Sequence, residues 1–306
     1  MKNFINYYYN FYISDIHFFE GKYFFNYDGN TYMFENCTKI YSIIDSVYEL
    51  SQQLNYKNTY YHQIILNKDN SIITMLENKP FIMLKLSKVM NLPITIFDIK
   101  GKDIVKVNKK LEKLVRFNWT ALWETKIDYF ENQIFAKKDK YENFIDSFYY
   151  CIGMAENAIL YIKEALNSHK ASELDELVIS HNRFYQNMSL INFYNPTTLI
   201  IDHRSRDIAE FLKCSFWSND YDLTIIKDYL EQCEISTLGA HLLFGRLLFP
   251  SFYFDYLEEI IFSDSMESMH LVEERIEEYN MFLSEIFDIL LENFELREIK
   301  WITKKM

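Results

Sequence analysis

Short apolar and aromatic runs separated by polar turns dominate the first 90 residues. An Asp28-Gly29 pair between two aromatic runs predicts a tight β-hairpin, because this dipeptide favours the positive φ angles of a two-residue turn. Three more short strands are predicted further on, with polar turns at 67–70 and 78–80. Helical spacing of apolar residues predicts one helix over 41–54. Residues 1–90 are therefore predicted to form a five-stranded sheet with one helix.

Helical patterns prevail from about residue 104. A basic helix is predicted over 104–116, and another helix begins near Trp119. Apolar residues three or four positions apart predict a long helix over 141–165, and an acidic tail over 252–300 has the same period.

An island of β-like runs interrupts these helices between residues 177 and 207. The runs lie at 177–180, 188–191 and 197–202 and are joined by polar turns. The chain is therefore predicted to be α+β, with residues 91–306 forming a mainly helical second domain. The boundary between the two lobes is expected near 87–93.

The charge balance disfavours nucleic-acid partners. The 306 residues carry a formal net charge of −12, and an acidic chain lacks the field that attracts phosphate backbones. Segment 100–116 is the exception, with seven basic residues against Asp103 and Glu112. Such a run is typical of a solvated helix face, and the alternative is a site for an anion or a partner.

Sequence motifs for common cofactors are missing. Neither the dinucleotide fingerprint G-x-G-x-x-G nor a P-loop occurs among the six glycines. The four cysteines are widely separated and have no zinc-binding spacing, which indicates free thiols in a reducing compartment. No uncharged apolar run approaches the roughly 18 residues of a membrane span, and no signal peptide is expected.

The residues after the long helix carry a recognisable order of motifs. A loop from His181 to Asn187 follows a strand, a second strand ends in Ile200-Ile201-Asp202, and a helix opens with Asp207-Ile208-Ala209. This order resembles that of aminoglycoside and choline kinase-like proteins, which carry H-G-D-x-x-x-x-N at the loop. The resemblance implies a bilobal protein kinase-like fold of the aminoglycoside phosphotransferase type, with a small antiparallel-sheet N-lobe and a helical C-lobe.

Three further stretches narrow the resemblance. Residues 149–159, 205–210 and 245–250 are similar to the YutH branch of the CotS-type spore coat protein family. The likeness implies synthesis in the mother-cell cytoplasm, a place in the endospore coat, and other spore coat proteins as partners.

The parts that phosphoryl transfer requires are degraded in this sequence. Arg183 occupies the position of the acceptor aspartate, and a guanidinium cannot accept a proton. The metal-binding asparagine is expected at Met188, but the nearest one is Asn187, one residue early. Asn182 replaces the loop glycine, and Asp202 remains as a metal ligand only if a nucleotide binds.

The nucleotide-binding parts are degraded as well. Residues 30–36, the expected third strand, contain no lysine, Lys39 lies past the strand end, and no glycine-rich loop is present. The chain is therefore interpreted as a pseudokinase without a cofactor. The alternatives are an active or nucleotide-binding small-molecule kinase using Mg-ATP, with Asp202, Asn187 and either Asp207 or Glu210 at the metal, and a binding module that kept only a pocket.

Structural roles compete with each functional interpretation. His181 can order its own loop, and Asp207 can cap the helix that it opens. Asp202 can form a salt bridge with Arg183, Arg204 or Arg206.

Overall fold

The computed structural model describes residues 1–57, 60–136, 144–263 and 272–303. The chain divides into two compact units. The first contains Met1–Thr95, Val105–Val115 and His181–Ile201, and the second contains the described residues of Ile96–Ile104, Arg116–Ser180 and Asp202–Met306. The first unit therefore consists of one long N-terminal stretch and two shorter segments from later in the chain.

An antiparallel sheet forms the centre of the first unit, with the strand order β1-β2-β3-β6-β4 and β5 paired to β6. The elements in chain order are α1 (Lys2–Tyr9), β1 (His17–Phe19), β2 (Lys22–Tyr27), β3 (Asn30–Asn36), α2 (Ile44–Lys57), β4 (Gln63–Ile65), β5 (Thr74–Leu76) and β6 (Lys79–Lys85). The predicted hairpin is confirmed, since Tyr27 pairs with Asn30 and both Asp28 and Gly29 have positive φ angles.

The sheet has six strands where five were expected. The additional strand, β1, has three exposed residues and shows no alternation of buried and exposed positions, so its sequence carries no strand period. The helix α1 was also not predicted, because its run of three tyrosines is more typical of strands. Ile5 and Tyr9, four residues apart, bury one face of this helix in the core.

The two faces of the sheet have different roles. Phe25, Tyr32 and Phe34 lie on one face and pack with α1 in an aromatic core. Because side chains alternate along a strand, the neighbouring Phe24 and Glu35 lie on the opposite face. That second face carries the polar site described below.

Helices dominate the second unit. They are α3 (Trp119–Ala136), α4 (Ile145–Ser168), α6 (Ser205–Trp217), α7 (Leu223–Gln232), α8 (Thr237–Leu248), α9 (Ser251–Ser263) and the helices Ile276–Leu291 and Lys300–Thr303. The long helix predicted over 141–165 is confirmed as α4, although residues 141–143 lie outside the described residues. Part of the predicted acidic tail, 264–271, also lies outside them. None of the helices in the described ranges combines the length and the apolar character needed to cross a bilayer.

Two predictions of secondary structure, for segments 104–116 and 188–191, were wrong. The basic segment 104–116 is irregular except for one 3-10 turn at Glu112–Leu114. The side-chain oxygen of Asn108 accepts the backbone N–H groups of Lys110 and Leu111, and such local bonds compete with a helix. The β-like run at 188–191 also forms no strand and instead leads into the short helix α5 (Leu190–Phe193), capped by Ser189.

The other two runs of the island do form strands. They are β7 (Leu177–His181) and β8 (Leu199–His203), which pair in a small two-stranded sheet. The loop between them returns to the first unit, where Ser189 bridges to Pro93. The strand ends position His181 and Asp202.

Candidate functional site

His181 ends β7 and begins the loop that resembles a kinase catalytic loop. Its buried imidazole has Nε2 at 2.9 Å from the carbonyl oxygen of Phe193, and its ring stacks on the Phe193 ring with 4.0 Å between centroids. A carbonyl oxygen only accepts, so Nε2 carries the proton. This contact holds α5 against the end of the strand.

The rest of the loop offers amides and a cation. Asn182 and Arg183, the latter at the position of the acceptor aspartate, are both exposed. Asn187 is also exposed and has a φ of 58°, a left-handed conformation that asparagine adopts more readily than most residues. Met188, where a metal-binding asparagine is expected, is buried, and a thioether is a poor ligand for hard cations such as Mg²⁺.

Asp202 is fully buried in the second unit, and both of its oxygens are engaged. The indole Nε1 of Trp119 lies 3.0 Å from each oxygen. The backbone N–H of His203 donates to Oδ1 at 2.7 Å, and Nη1 of Arg206 donates to Oδ2 at 3.0 Å. Because a carboxylate only accepts, its two oxygens are engaged by three donors, one of which, Arg206, carries a positive charge.

Further buried charges continue from this carboxylate. Nε of Arg246 donates to Glu210 at 2.9 Å, and the Arg246 guanidinium lies over the Trp119 ring at 4.5 Å from its centroid. Nζ of Lys213 donates to the carbonyl oxygen of Phe249 at 2.9 Å. Burial lowers the pKa of Arg246 to about 10 and that of Lys213 to about 8. Arg206, Arg246 and Lys213 therefore pair with the two carboxylates of this cluster, Asp202 and Glu210.

These residues do not fit a magnesium site. The described residues contain no group of three or more His, Cys, Asp or Glu side chains placed to hold a metal ion. A divalent cation at Asp202 would have to displace the Arg206 guanidinium and the Trp119 indole. Asp202 belongs to the second unit and Asn187 to the first.

The strand expected to carry the nucleotide lysine carries a carboxylate instead. Glu35 on β3 is buried, and Lys39 lies on the exposed 3-10 helix Thr38–Ile43 after the strand. The nearest cation to Glu35 is Lys22 of β2, whose Nζ lies 3.3 Å from Oε2. The hairpin before Lys22 turns in two residues, Glu20 and Gly21, both with positive φ angles. A turn of this length provides no loop to fold over phosphates.

The Lys22–Glu35 pair is enclosed in a wider set of hydrogen bonds within the first unit. Oε1 of Glu35 accepts from Nδ2 of Asn195 at 2.9 Å and from the hydroxyl of Thr197 at 3.0 Å. Lys22 also donates to Oδ1 of Asn192 at 2.8 Å. The positive charge of Lys22 is therefore compensated inside the protein.

An open cavity of about 800 Å³ lies beside this pair, entirely within the first unit. The β1–β2 hairpin, residues 91–93 and the loop after β7 form its walls. They contribute Phe19, Glu20, Lys22, Phe24, Asn91, Pro93, Tyr185, Gln186, Asn187, Ser189, Ile191 and Asn192. Its volume is that of a small-molecule site.

The sequence model of the family described as "Spore coat putative kinase YutH" matches residues 2–290. The chain belongs to this family. The endospore coat-associated protein YutH of Bacillus subtilis (strain 168) is 26% identical over an alignment of 291 residues, and the match covers 84% of this chain and 84% of that one. The predicted family is thus confirmed.

Solved structures confirm the fold predicted for this YutH-family protein. An aminoglycoside phosphotransferase from Alicyclobacillus acidocaldarius superposes with a TM-score of 0.61 at 10% identity, over 93% of this chain and 94% of that one. The AMP-bound spectinomycin phosphotransferase gives 0.55 at 13% identity, over 96% and 98%. At such identities the likeness shows the fold alone, an α+β kinase-like fold of the aminoglycoside phosphotransferase type.

Sequence reasoning missed the role of two residues in this YutH-family site. Trp119 was predicted only to lie at the start of a helix, and nothing in its spacing indicated a hydrogen bond to a carboxylate 83 positions away. Arg246 gave a usable signal, because a charge within the apolar run 242–249 needs a buried partner. The structure supplies that partner as Glu210.

Proposed function

We propose that this YutH-family protein serves the endospore coat as a structural or interaction component whose kinase-like fold no longer transfers phosphate. The observation that carries the proposal is the engagement of Asp202. Its two oxygens accept from Trp119, from Arg206 and from the backbone of His203. The carboxylate that a phosphotransferase offers to its metal is here part of the protein interior.

The catalytic groups around this position support the same proposal. Phosphoryl transfer depends on positioned charges at the metal, the phosphates and the acceptor hydroxyl. Arg183 provides no proton acceptor, and Met188 provides no metal ligand. Each such group contributes several kcal/mol to the transition state, and about 1.4 kcal/mol corresponds to a tenfold change in rate. Their combined loss removes any useful rate.

The cavity of the first unit is also poorly suited to a nucleoside triphosphate. Its single lysine, Lys22, already pairs with Glu35, and Glu20 adds a further negative charge to the lining. A triphosphate carries several negative charges, which need uncompensated cations or a metal for binding. We therefore propose that the protein uses neither magnesium nor ATP.

Family membership supports the cellular part of the proposal. The Bacillus subtilis relative is described as endospore coat-associated. We extend that location to this chain, with other spore coat proteins as its partners and synthesis in the mother-cell cytoplasm.

A phosphotransfer assay tests the loss of catalysis. The full-length protein is incubated with radiolabelled ATP, with Mg²⁺ or Mn²⁺, and with a panel of aminoglycosides, choline and sugars. We expect no release or transfer above background, and the same result for Asp202→Asn. Turnover in the range of about 1–100 s⁻¹ that Asp202→Asn abolishes would contradict the proposal and establish the alternative, an active small-molecule kinase, which the shared phosphotransferase fold favours.

Spore fractionation tests the location. A tagged chain expressed during sporulation is expected in the coat extract of purified spores, and the Asp202→Asn chain is expected there in the same amount. A chain confined to the mother-cell lysate would contradict the coat role. Loss of coat association in the folded Asp202→Asn chain would show that the site has a function beyond architecture.

A further inference from the structure

The cavity of the first unit has preformed walls. Residues 92–94 pair with 188–190 through two backbone hydrogen bonds, from Ile94 N–H to Met188 at 2.9 Å and from Leu190 N–H to Leu92 at 2.9 Å. His62 adds a second connection next to these segments. Its Nε2 lies 2.8 Å from the carbonyl oxygen of Ile191, and its Nδ1 accepts the N–H of Ser87 at 3.2 Å. A ligand would therefore enter a shaped site without ordering a loop.

Carboxamide groups are the main polar feature of the lining. Asn91, Gln186 and Asn187 have exposed side chains that make no hydrogen bond with the described residues. Each amide offers two donors and a carbonyl acceptor without a charge. A hydroxyl group, which both donates and accepts, matches this chemistry at each position.

Aromatic rings supply the apolar surface. Phe19 and Tyr185 line the cavity with 61% and 50% of their surface exposed, and Phe24 lies beside them on the sheet. Exposed aromatic rings of this kind stack on the C–H faces of sugar rings, and the contact removes apolar area from water. The lining thus combines aromatic ring faces with neutral polar groups.

The charges of the lining disfavour an anion. Lys22 is compensated by Glu35 at 3.3 Å and by the amide oxygen of Asn192. Glu20 is exposed, and its field, after the larger effect of burial, raises the pKa of Tyr185. A phosphorylated ligand would meet a net negative wall.

We propose that this cavity binds an uncharged, polyhydroxylated ligand, a short neutral glycan, with ring stacking on Phe19 and Tyr185 and hydroxyl contacts to Gln186, Asn187 and Asn91. The proposal goes beyond the coat role. It requires no catalysis, and it stands or falls independently of the phosphotransfer assay.

Binding of two uncharged trisaccharides, cellotriose and tri-N-acetylchitotriose, tests the proposal. Titration of the full chain by calorimetry, with saturation-transfer NMR to find the bound sugar faces, is expected to show binding of at least one of them at or below about 10 mM. Phe19→Ala is expected to weaken that binding by about tenfold or more, and Gln186→Ala to weaken it less.

Phe18→Ala is the matched control. Phe18 precedes Phe19 on the same strand and is equally exposed, at 64%, but it points to the opposite face, where its ring contacts Tyr23. Binding is expected to survive in this variant.

Three results would overturn the proposal. One is the absence of binding by both trisaccharides at about 10 mM. Another is an equal loss of affinity in Phe18→Ala and Phe19→Ala, which would place the sugar elsewhere. The third is Mg-ATP binding that displaces the sugar and is itself weakened by Phe19→Ala, which would make the cavity a nucleotide site.

Discussion

Asp202 in the second unit is bonded to the buried side chains of Trp119 and Arg206, whereas in the cavity of the first unit the amides of Asn91, Gln186 and Asn187 face solvent. The buried groups have a role already, because each donor or acceptor that loses its partner inside a protein costs free energy. The exposed amides have no such role in the fold. We infer from the comparison that the residues resembling a kinase active site serve packing in the second unit, whereas side chains available to a ligand lie in the first.

The largest expected effect comes from breaking the buried ion pair. Arg206→Met leaves the Asp202 carboxylate buried without its cation, and we expect the free energy of unfolding in urea to fall by about 3–5 kcal/mol. Adding Asp202→Asn to this variant removes the uncompensated charge while keeping an acceptor for Trp119. The double variant is therefore expected to recover part of the loss.

Lys227→Met is the control for that experiment. Lys227 and Glu292 form an ion pair of 2.8 Å that is exposed to solvent, and its removal is expected to leave the free energy of unfolding nearly unchanged. Equal losses in the buried and exposed variants would show that the Asp202 cluster contributes nothing beyond surface electrostatics.

The next largest effect is a loss of stability in acid. Burial lowers the pKa of His62, in the first unit, to about 4 from its ordinary 6.5. Burial and, second, the neighbouring His169 lower the pKa of His241, in the second unit, to about 4. The unfolded chain takes up these protons first, so the stabilisation is complete above about pH 6.5 and is lost as the pH falls toward about 4.

Each of these histidines is expected to contribute about 3 kcal/mol to that loss, measured as the free energy of unfolding between about pH 7.5 and pH 4.5. His62→Gln removes its share of the pH dependence, and the unmodified protein is the reference. A pH profile that is the same in both proteins would rule out this explanation.

A smaller effect tests how closely the second unit is packed. In α8 a β-carbon on Gly245 would lie 2.5 Å from Cγ1 of Ile162, so Gly245→Ala is expected to destabilise by about 1–3 kcal/mol. The same change at Gly153 in α4 meets no atom within 4 Å and is expected to stabilise by about 0.5–1 kcal/mol. Thermal denaturation compares the two, and a change of the same sign in both would contradict the close contact of these helices.

The smallest expected effect is the response to nucleotide. Millimolar Mg-ATP is expected to leave the melting temperature of the full chain unchanged, because the proposed protein does not bind it. A ligand that did bind, present at 100 times its Kd, would stabilise the folded state by about 2.7 kcal/mol. A rise in melting temperature that disappears in Asp202→Asn would show that the chain binds nucleotide through this carboxylate and would contradict the proposed loss of catalysis.

Local chemistry explains which parts of the fold could be predicted. The Asp28-Gly29 turn and the apolar stripe of α4 are properties of adjacent residues, and both were predicted correctly. The helix α1 and the irregular segment 104–116 were not, because Tyr9 is fixed by distant core residues and Asn108 by its own turn. Tertiary contacts override a weak local preference in α1, whereas in segment 104–116 a local side-chain hydrogen bond competes with the helix.

The candidate site shows the same division. The presence of Arg183 in the loop after β7 and the absence of a lysine from β3 can be read directly from the sequence. The pairing of Asp202 with Arg206 was one of three salt bridges that the sequence left open, and it lies within one helical turn of the strand end. The contribution of Trp119 depends on how α3 packs against β8, which a single sequence does not encode locally.

The indole of Trp119 also allows the surroundings of Asp202 to be followed by tryptophan fluorescence. This ring is buried, donates to a carboxylate and stacks loosely on Trp123 at 6.0 Å between centroids. Its fluorescence should therefore be sensitive to any rearrangement that admits water or a cation to Asp202, and with only four tryptophans in the chain the signal can be assigned by single replacements. Trp119 thus provides an intrinsic optical probe of whether water or a cation reaches the surroundings of Asp202.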